Sequence, residues 1–253
     1  MGQEAGHSFL ARLGKTKLRP GGIEATNWLI EQAKINQHST VLEVACNMGT
    51  TLVQVATKYH CQITGIDQSQ TVIEQATQNI ENHHLTDYAS VFRANAMKLP
   101  FEDNSFDVII NEAMLTMLDE KSKAKAIHEY YRVLKPGGYL LTHDVCLING
   151  DNAALVEQLG QTIHVHAQPL TPQRWETTFK DVGFTVTQKF GGMTLMNPLG
   201  MIHDEGLPRT LKIIRNGLKN ENRQQFFKMF SFFRSNSDQL GYIANLSQKN
   251  STY

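Results

Sequence analysis

The chain has no excess of charge of either sign: Lys and Arg total 24, Asp and Glu total 24, and the formal net charge is zero. The basic footprint that phosphate backbones select is missing, so nucleic acid is not an expected partner. Cysteine is scarce. Cys46, Cys61 and Cys146 are odd in number, far apart and outside any C-x-x-C pair, which supplies neither a disulfide framework nor a zinc site. No metal is expected, and a reducing cytoplasm is the expected compartment. No run approaches the roughly 18 apolar residues of a membrane span. The opening "MGQEAGHSFL" lacks the apolar core of a signal segment, and Gly6 stands where a myristoylation signal wants Ser or Thr. Glycosylation-like triplets at Asn245 and Asn250 therefore have no export signal to accompany them. There is no internal repeat and no low-complexity tract.

What is present is alternation. Strand-like runs "TVLEVA" (40–45), "QITGID" (62–67), "SVFRAN" (90–95), "FDVIINE" (106–112) and "GYLLTHDV" (138–145) are separated by segments with apolar residues at helical spacing. The first four are mostly apolar on both faces, as expected where helices cover a parallel sheet. The pattern is α/β, a doubly wound sheet. Later, "TPQRWETTFKDVG" reads as a helix opened by Thr171-Pro172 and stopped by Gly183, and "FTVTQKF" (184–190) and "GYIANLS" (241–247) complete seven strands. A single domain over 1–253 is expected. Residues 1–38 form an N-terminal cap with one helix, "IEATNWLIEQAKI", and residues 192–240 form a helical insertion with two, before the last strand.

The stretch "VLEVACNMGTT" (41–51) runs like a buried strand into a nucleotide-binding turn, yet Ala45 and Asn47 stand where such a turn usually wants glycine. Ala45 is the smallest residue with a Cβ, Asn47 tolerates positive φ, and Gly49 is retained, so a ligand loop keeps its geometry. Asp67 ends the second strand, where a carboxylate can accept both hydroxyls of an adenosine ribose; the alternative is a helix N-cap acid, a role open to Ser69 as well.

In combination, "LEVACNMGT", "GIDQSQTVIEQA", "FRANAMKLPFEDNSFDVII" and "EYYRVLKPGGYLL" resemble, in order, the motifs of the class I S-adenosylmethionine-dependent methyltransferases, within their small-molecule, ubiquinone-biosynthesis-like (methyltransferase type 11) group. The resemblance spans roughly residues 38 to 147. It implies a Rossmann-like, mostly parallel seven-stranded sheet with an antiparallel C-terminal strand, and S-adenosylmethionine as cofactor, with S-adenosylhomocysteine as product. It also implies cofactor contacts from Glu43, Ala45, Asn47, Gly49, Asp67, Gln68, Asn95, Ala96 and Met97. Asn95 replaces the family's usual Asp; its side-chain oxygen can still accept a hydrogen bond from the adenine amino group. The changed loop keeps a non-catalytic cofactor-binding module open as an alternative. A dinucleotide oxidoreductase fits less well, because the three glycine places of G-x-G-x-x-G hold Ala45, Asn47 and Thr50.

Methyl transfer from a sulfonium is an in-line displacement in which positioning supplies much of the rate, and a base is needed only for a protonated nucleophile. The small-molecule acceptor should lie over the ends of strands four and five. There "NEAMLTML" places Asn111 and Glu112 at the cleft mouth, and "THDV" places His143 and Asp144 on opposite faces, one of them facing the cleft. Glu112 and His143 are the catalytic candidates; His143 is either a general base or a histidine bonded within the sheet. "NEAM" is not the Asn-Pro-Pro-aromatic motif of nucleobase-amino methyltransferases. His164 and His166 share a face if extended but lack a third ligand, and Cys46 is read as a small buried hydrophobe. Phe226, Phe230 and Phe233 fall on one helical stripe, suited to core packing, to a lid over an apolar acceptor or to a homodimer contact. Arg19 in "KLRPGG" is either part of a turn or a clamp for an anionic substrate.

Overall fold

A computed structural model describes residues 4–251. The apolar runs become five parallel strands: β1 (Thr40–Val44), β2 (Gln62–Asp67), β3 (Ala89–Arg93), β4 (Phe106–Glu112) and β5 (Leu134–Leu147). Two more, β6 (Phe184–Gly192) and β7 (Leu240–Lys249), complete the order β3-β2-β1-β4-β5-β7-β6, with β7 antiparallel to both neighbours. The order reverses between β1 and β4, and such a switch point opens a crevice at the C-terminal strand ends. Register sets the site: Val44 pairs with Asn111, and Glu112 pairs with His143.

Helices cover both faces because both are apolar. On one side α2 (Gly22–Gln32) and α3 (Thr50–Tyr59) bury Leu29 and Leu52 against Val41 and Ile110; on the other, α5 (Glu120–Val133) and α7 (Pro172–Lys180) bury Ile127, Tyr130 and Trp175 against Leu42 and Ile109. Local chemistry starts these helices where the residues direct. Ser69 caps α4 (Gln70–Asn82) by accepting from the Val72 N–H, and Thr171 caps α7 from the Arg174 N–H with Pro172 in the first turn.

The periphery differs from the sequence reading. The cap contains a second helix, α1 (Gly6–Leu13), whose Phe9, Leu10 and Leu13 are buried. The insertion contains three helices, α8 (Pro198–Glu205), α9 (Leu207–Gly217) and α10 (Asn220–Ser235), rather than two. Between β5 and α7 lies α6 (Ala153–Ile163), and His164 is its C-cap at φ 53° with Nδ1 bonded to the Glu4 carbonyl, so the extended His164/His166 pair does not form. Strand five also begins at Leu134, ahead of the Pro-Gly-Gly turn. The α10 stripe is mainly core: Phe226, Met229 and Phe233 join Leu10, Leu13, Leu159 and Ile213 in a third apolar cluster built from α1, α6 and the insertion.

Candidate active site

The turn after β1 takes the conformation that its residues were expected to tolerate. Ala45, Asn47 and Gly49 have φ of 57°, 48° and 72°, all left-handed. For Ala45 this costs roughly 1–2 kcal/mol. Asn47 offsets its own cost, its Oδ1 accepting the Met48 N–H at 2.7 Å. Asp67 stitches the loop to the end of β2, accepting from the Asn47 N–H at 3.3 Å and the Ser69 N–H at 3.0 Å while Ser69 provides the cap. The Cys46 thiol inside this loop is pushed up by burial, then by Glu43 and Asp67, and is unreactive as a thiolate.

Two carboxylates stand behind the loop. Burial and the Glu112 charge push Glu43 up to about 8, while Arg19, Thr51 and the Leu52 amide pull the other way. Its Oε2 is buried without a hydrogen-bond donor. Glu112 goes down instead: burial acts to raise it, but Arg19, His143 and Thr26 together outweigh that and hold it at about 2. Arg19 Nε lies 3.1 Å from Glu112 Oε2, the Thr51 hydroxyl donates to Oε2 at 2.9 Å, and the Thr26 hydroxyl donates to Oε1. Arg19 also donates to both hydroxyls, so guanidinium, threonines and carboxylate form one closed network.

His143 completes it from below. The Gly21 N–H donates to Nε2 at 2.9 Å, which puts the imidazole proton on Nδ1, 3.2 Å from Glu112 Oε1. Both ring nitrogens are therefore engaged and the side chain is fully buried. Neither His143 nor Asp144 faces the cleft, contrary to the alternation argument: Asp144 is buried and accepts from the Thr116 N–H and hydroxyl. Asn111 is not at the mouth either; fully buried, it donates to the Val44 carbonyl and ties β4 to β1.

A strap from Gly14 to Gly21 crosses this centre. Glu205 on α8 accepts from the Thr16 and Lys17 N–H groups, both at 2.8 Å, and Arg19 anchors the other end. Glycine is needed where the strap meets α2: Gly22 has φ 63°, and a Cβ there would collide with the Asp204 carboxylate, while one on Gly21 would enter the Tyr242 ring.

The cleft has three connected parts. Ala45, Asp67, Gln68, Ala94, Ala96 and Leu118 line one end. Glu43, Asn47, Thr51, Glu112 and the strap residues Leu18 and Arg19 line the middle. The third is an apolar chamber walled by Leu10, Val145, Leu159, Met193, Met229 and Phe233. His7, Leu18, Ala113 and Met117 belong to both middle and chamber. Of the expected contacts, Gly49 shapes the turn, Asn95 is exposed with Oδ1 accepting the Met97 N–H at 2.9 Å, and Met97 packs on the core. His7, Leu18, Thr51, Met114 and Met117 were not read from the sequence as site residues, and Arg19 appeared only as a turn or an anionic clamp. The His7 Nδ1 is buried without a partner, and burial lowers its pKa against the pull of Asp67.

Comparisons with known proteins point the same way. A family model described as a methyltransferase domain matches residues 41–138. An uncharacterized protein of Haemophilus influenzae is 53% identical over 97% of this chain and 98% of its own length. The O-methyltransferase rstn1 of Aspergillus nomiae is 31% identical, covering 61% of this chain and 70% of its own. Among solved structures, the MccD protein superposes with a TM-score of 0.75 at 20% identity, covering 93% of this chain and all of that one.

Proposed function

Since the chain belongs to the class I S-adenosylmethionine-dependent methyltransferases, we propose that it transfers the methyl group in line to a small, largely apolar acceptor held in the chamber beside His7 and Met117. Its cofactor is S-adenosylmethionine. The observation that carries the acceptor class is the continuity of the polar cleft with a chamber walled almost wholly by aliphatic, methionine and phenylalanine side chains.

The residues present fit the cofactor. Glu43 Oε2, buried in the cleft wall without a donor, suits the methionine ammonium. Asp67, partly exposed at the end of β2, suits the ribose hydroxyls. Ala94, Ala96, Met114 and Leu118 form an apolar slot for adenine, with Gln68 and Asn95 at its polar edge. When bound, S-adenosylmethionine supplies an electrophilic methyl group on a sulfonium sulfur.

The chain's own part is positioning. Glu112 at a pKa of about 2 is a poor proton acceptor, and its oxygens already receive hydrogen bonds. It acts as the post to which Arg19 ties the strap, and His143 acts through it as a positioning residue. Where the acceptor carries a proton, His7 is the base: it stands at the junction of cleft and chamber, and burial keeps it neutral. The test is transfer of label from methyl-labelled S-adenosylmethionine into metabolite extracts split into organic and aqueous phases. A labelled organic-phase product supports the reading. Cofactor binding with no label in any product would favour the non-catalytic binding module.

A further inference from the structure

We propose that α9, with the exposed parts of α8 and α10, docks the protein on the surface of a bilayer containing anionic lipid. α9 buries Thr210, Ile213 and Gly217 toward α1 and α10. At about 100° per residue, Leu207, Leu211 and Leu218 fall within about 40° of one another on the outer side. They are 55%, 57% and 48% exposed, which is far from the usual fate of three aligned leucines. Leu199 and Ile202 on α8 and Phe227 on α10 add further exposed apolar surface. The described residues of the chain leave all six open to solvent.

The charge beside this stripe selects the occupant. Lys212, Arg215 and Lys219 follow the leucines around the helix, and α9 itself holds no acidic residue. Between Leu207 and Lys228 there are six cations (Arg209, Lys212, Arg215, Lys219, Arg223, Lys228) against Glu221 alone in a chain of net zero; Arg209 is paired with Glu205 and Lys228 donates to the Gln161 carbonyl, and Lys212, Arg215 and Lys219 are the ones that flank the leucines. An apolar stripe with a cationic flank is the pattern of a helix lying in a lipid headgroup layer. A second copy of this chain fits less well, since a two-fold contact sets Lys212, Arg215 and Lys219 against their own copies.

The surface leads inward. The chamber residues Met193 and Phe233 also line a groove that runs to Asn197 and Pro198, at the start of α8 and next to the 78% exposed Leu199. A lipophilic acceptor can therefore enter the chamber from the docked face; that step rests on the methyl-transfer reading, whereas the docking does not.

The experiment is co-sedimentation of the full chain with phosphatidylcholine vesicles, with and without phosphatidylglycerol, at low and high salt. The expected result is at least about tenfold stronger binding to the anionic vesicles, weakened by salt. Both Leu207→Glu/Leu211→Glu and Lys212→Glu/Arg215→Glu are expected to cut it by about tenfold, with circular dichroism and calorimetric binding of S-adenosylmethionine unchanged. Equal binding to both vesicles, no binding, or binding that survives both double variants would overturn the proposal. So would a dimer lost in the leucine variant alongside no vesicle binding, which would assign the face to a second copy. Vesicle binding without cofactor binding would leave the docking standing and remove the transfer reading.

Discussion

Arg19 and Glu112 form a buried ion pair, 3.1 Å from Nε to Oε2 with both side chains 8% exposed, and it pins the N-terminal strap over the C-terminal end of β4. Removing one partner leaves the other as an unpaired buried charge. Arg19→Met is therefore expected to cost about 3–5 kcal/mol in a denaturant titration. The double variant Arg19→Met/Glu112→Leu should recover part of that loss, because no lone charge remains. A double variant as unstable as the sum of the singles would contradict this account of the strap.

The two carboxylates set opposite pH dependences. Glu43 is raised to about 8, so between its unfolded value near 4.5 and about 8 the folded chain holds a proton that the unfolded chain does not. Its contribution to stability is full below that window and is lost as pH rises through it. Glu112 is lowered to about 2, so its contribution is present above about 4.5 and is lost as pH falls toward 2. Glu43→Gln should flatten the decline of melting temperature between pH 6 and about 8. An unchanged slope in that variant would assign the decline to other groups.

Ala45 pays for a left-handed backbone without a glycine. Ala45→Gly should be neutral or stabilising by up to about 1 kcal/mol, the relief at φ 57° being partly offset by unfolded-chain entropy. Ala45→Val, β-branched and projecting into the cleft, should destabilise by about 1–2 kcal/mol and weaken cofactor binding. Melting curves and calorimetry on the same samples separate the two effects.

If His7 takes a proton from the acceptor, His7→Gln should lower kcat by about 100-fold or more while leaving the S-adenosylmethionine Kd within about threefold. The readout is the pH profile of label transfer. A kcat loss accompanied by an equal rise in cofactor Kd would mark His7 as a cleft wall only.

The centre of the sheet was legible because β1 and β4 are buried on both faces, and a run such as "FDVII" has no other easy fate, whereas β3 and β6 leave much of their length exposed. The turn's geometry was legible because the left-handed region admits so few residue types, and Asp67's place beside it because Asp67 ends a strand. α1 and α8 were not, each being eight residues long and interrupted by polar or glycine positions that give no sustained period. His7 and Arg19 as cleft residues were hidden for a different reason: α1, which carries His7, is seated by Phe9, Leu10 and Leu13 against α6 and the insertion, and Arg19 is held by Glu112, all contacts between distant parts of the chain. The alternation along β5 put one of His143 and Asp144 in the cleft, but α2 and the turn at Leu115–Met117 cover both faces, and both side chains are consumed as hydrogen-bond partners.

Whether Glu43 and the Ala45–Gly49 turn form a working S-adenosylmethionine site is answered by calorimetric titration. S-adenosylmethionine and S-adenosylhomocysteine should bind and NAD should not. Because a cation beside Glu43 favours its ionised form, binding at pH 7 should release up to about one proton, seen as a dependence of heat on buffer ionisation enthalpy. Affinity should tighten by up to about tenfold per pH unit toward about 8. Absence of binding by the first pair, or binding that releases no proton and survives Glu43→Gln unchanged, would contradict the account.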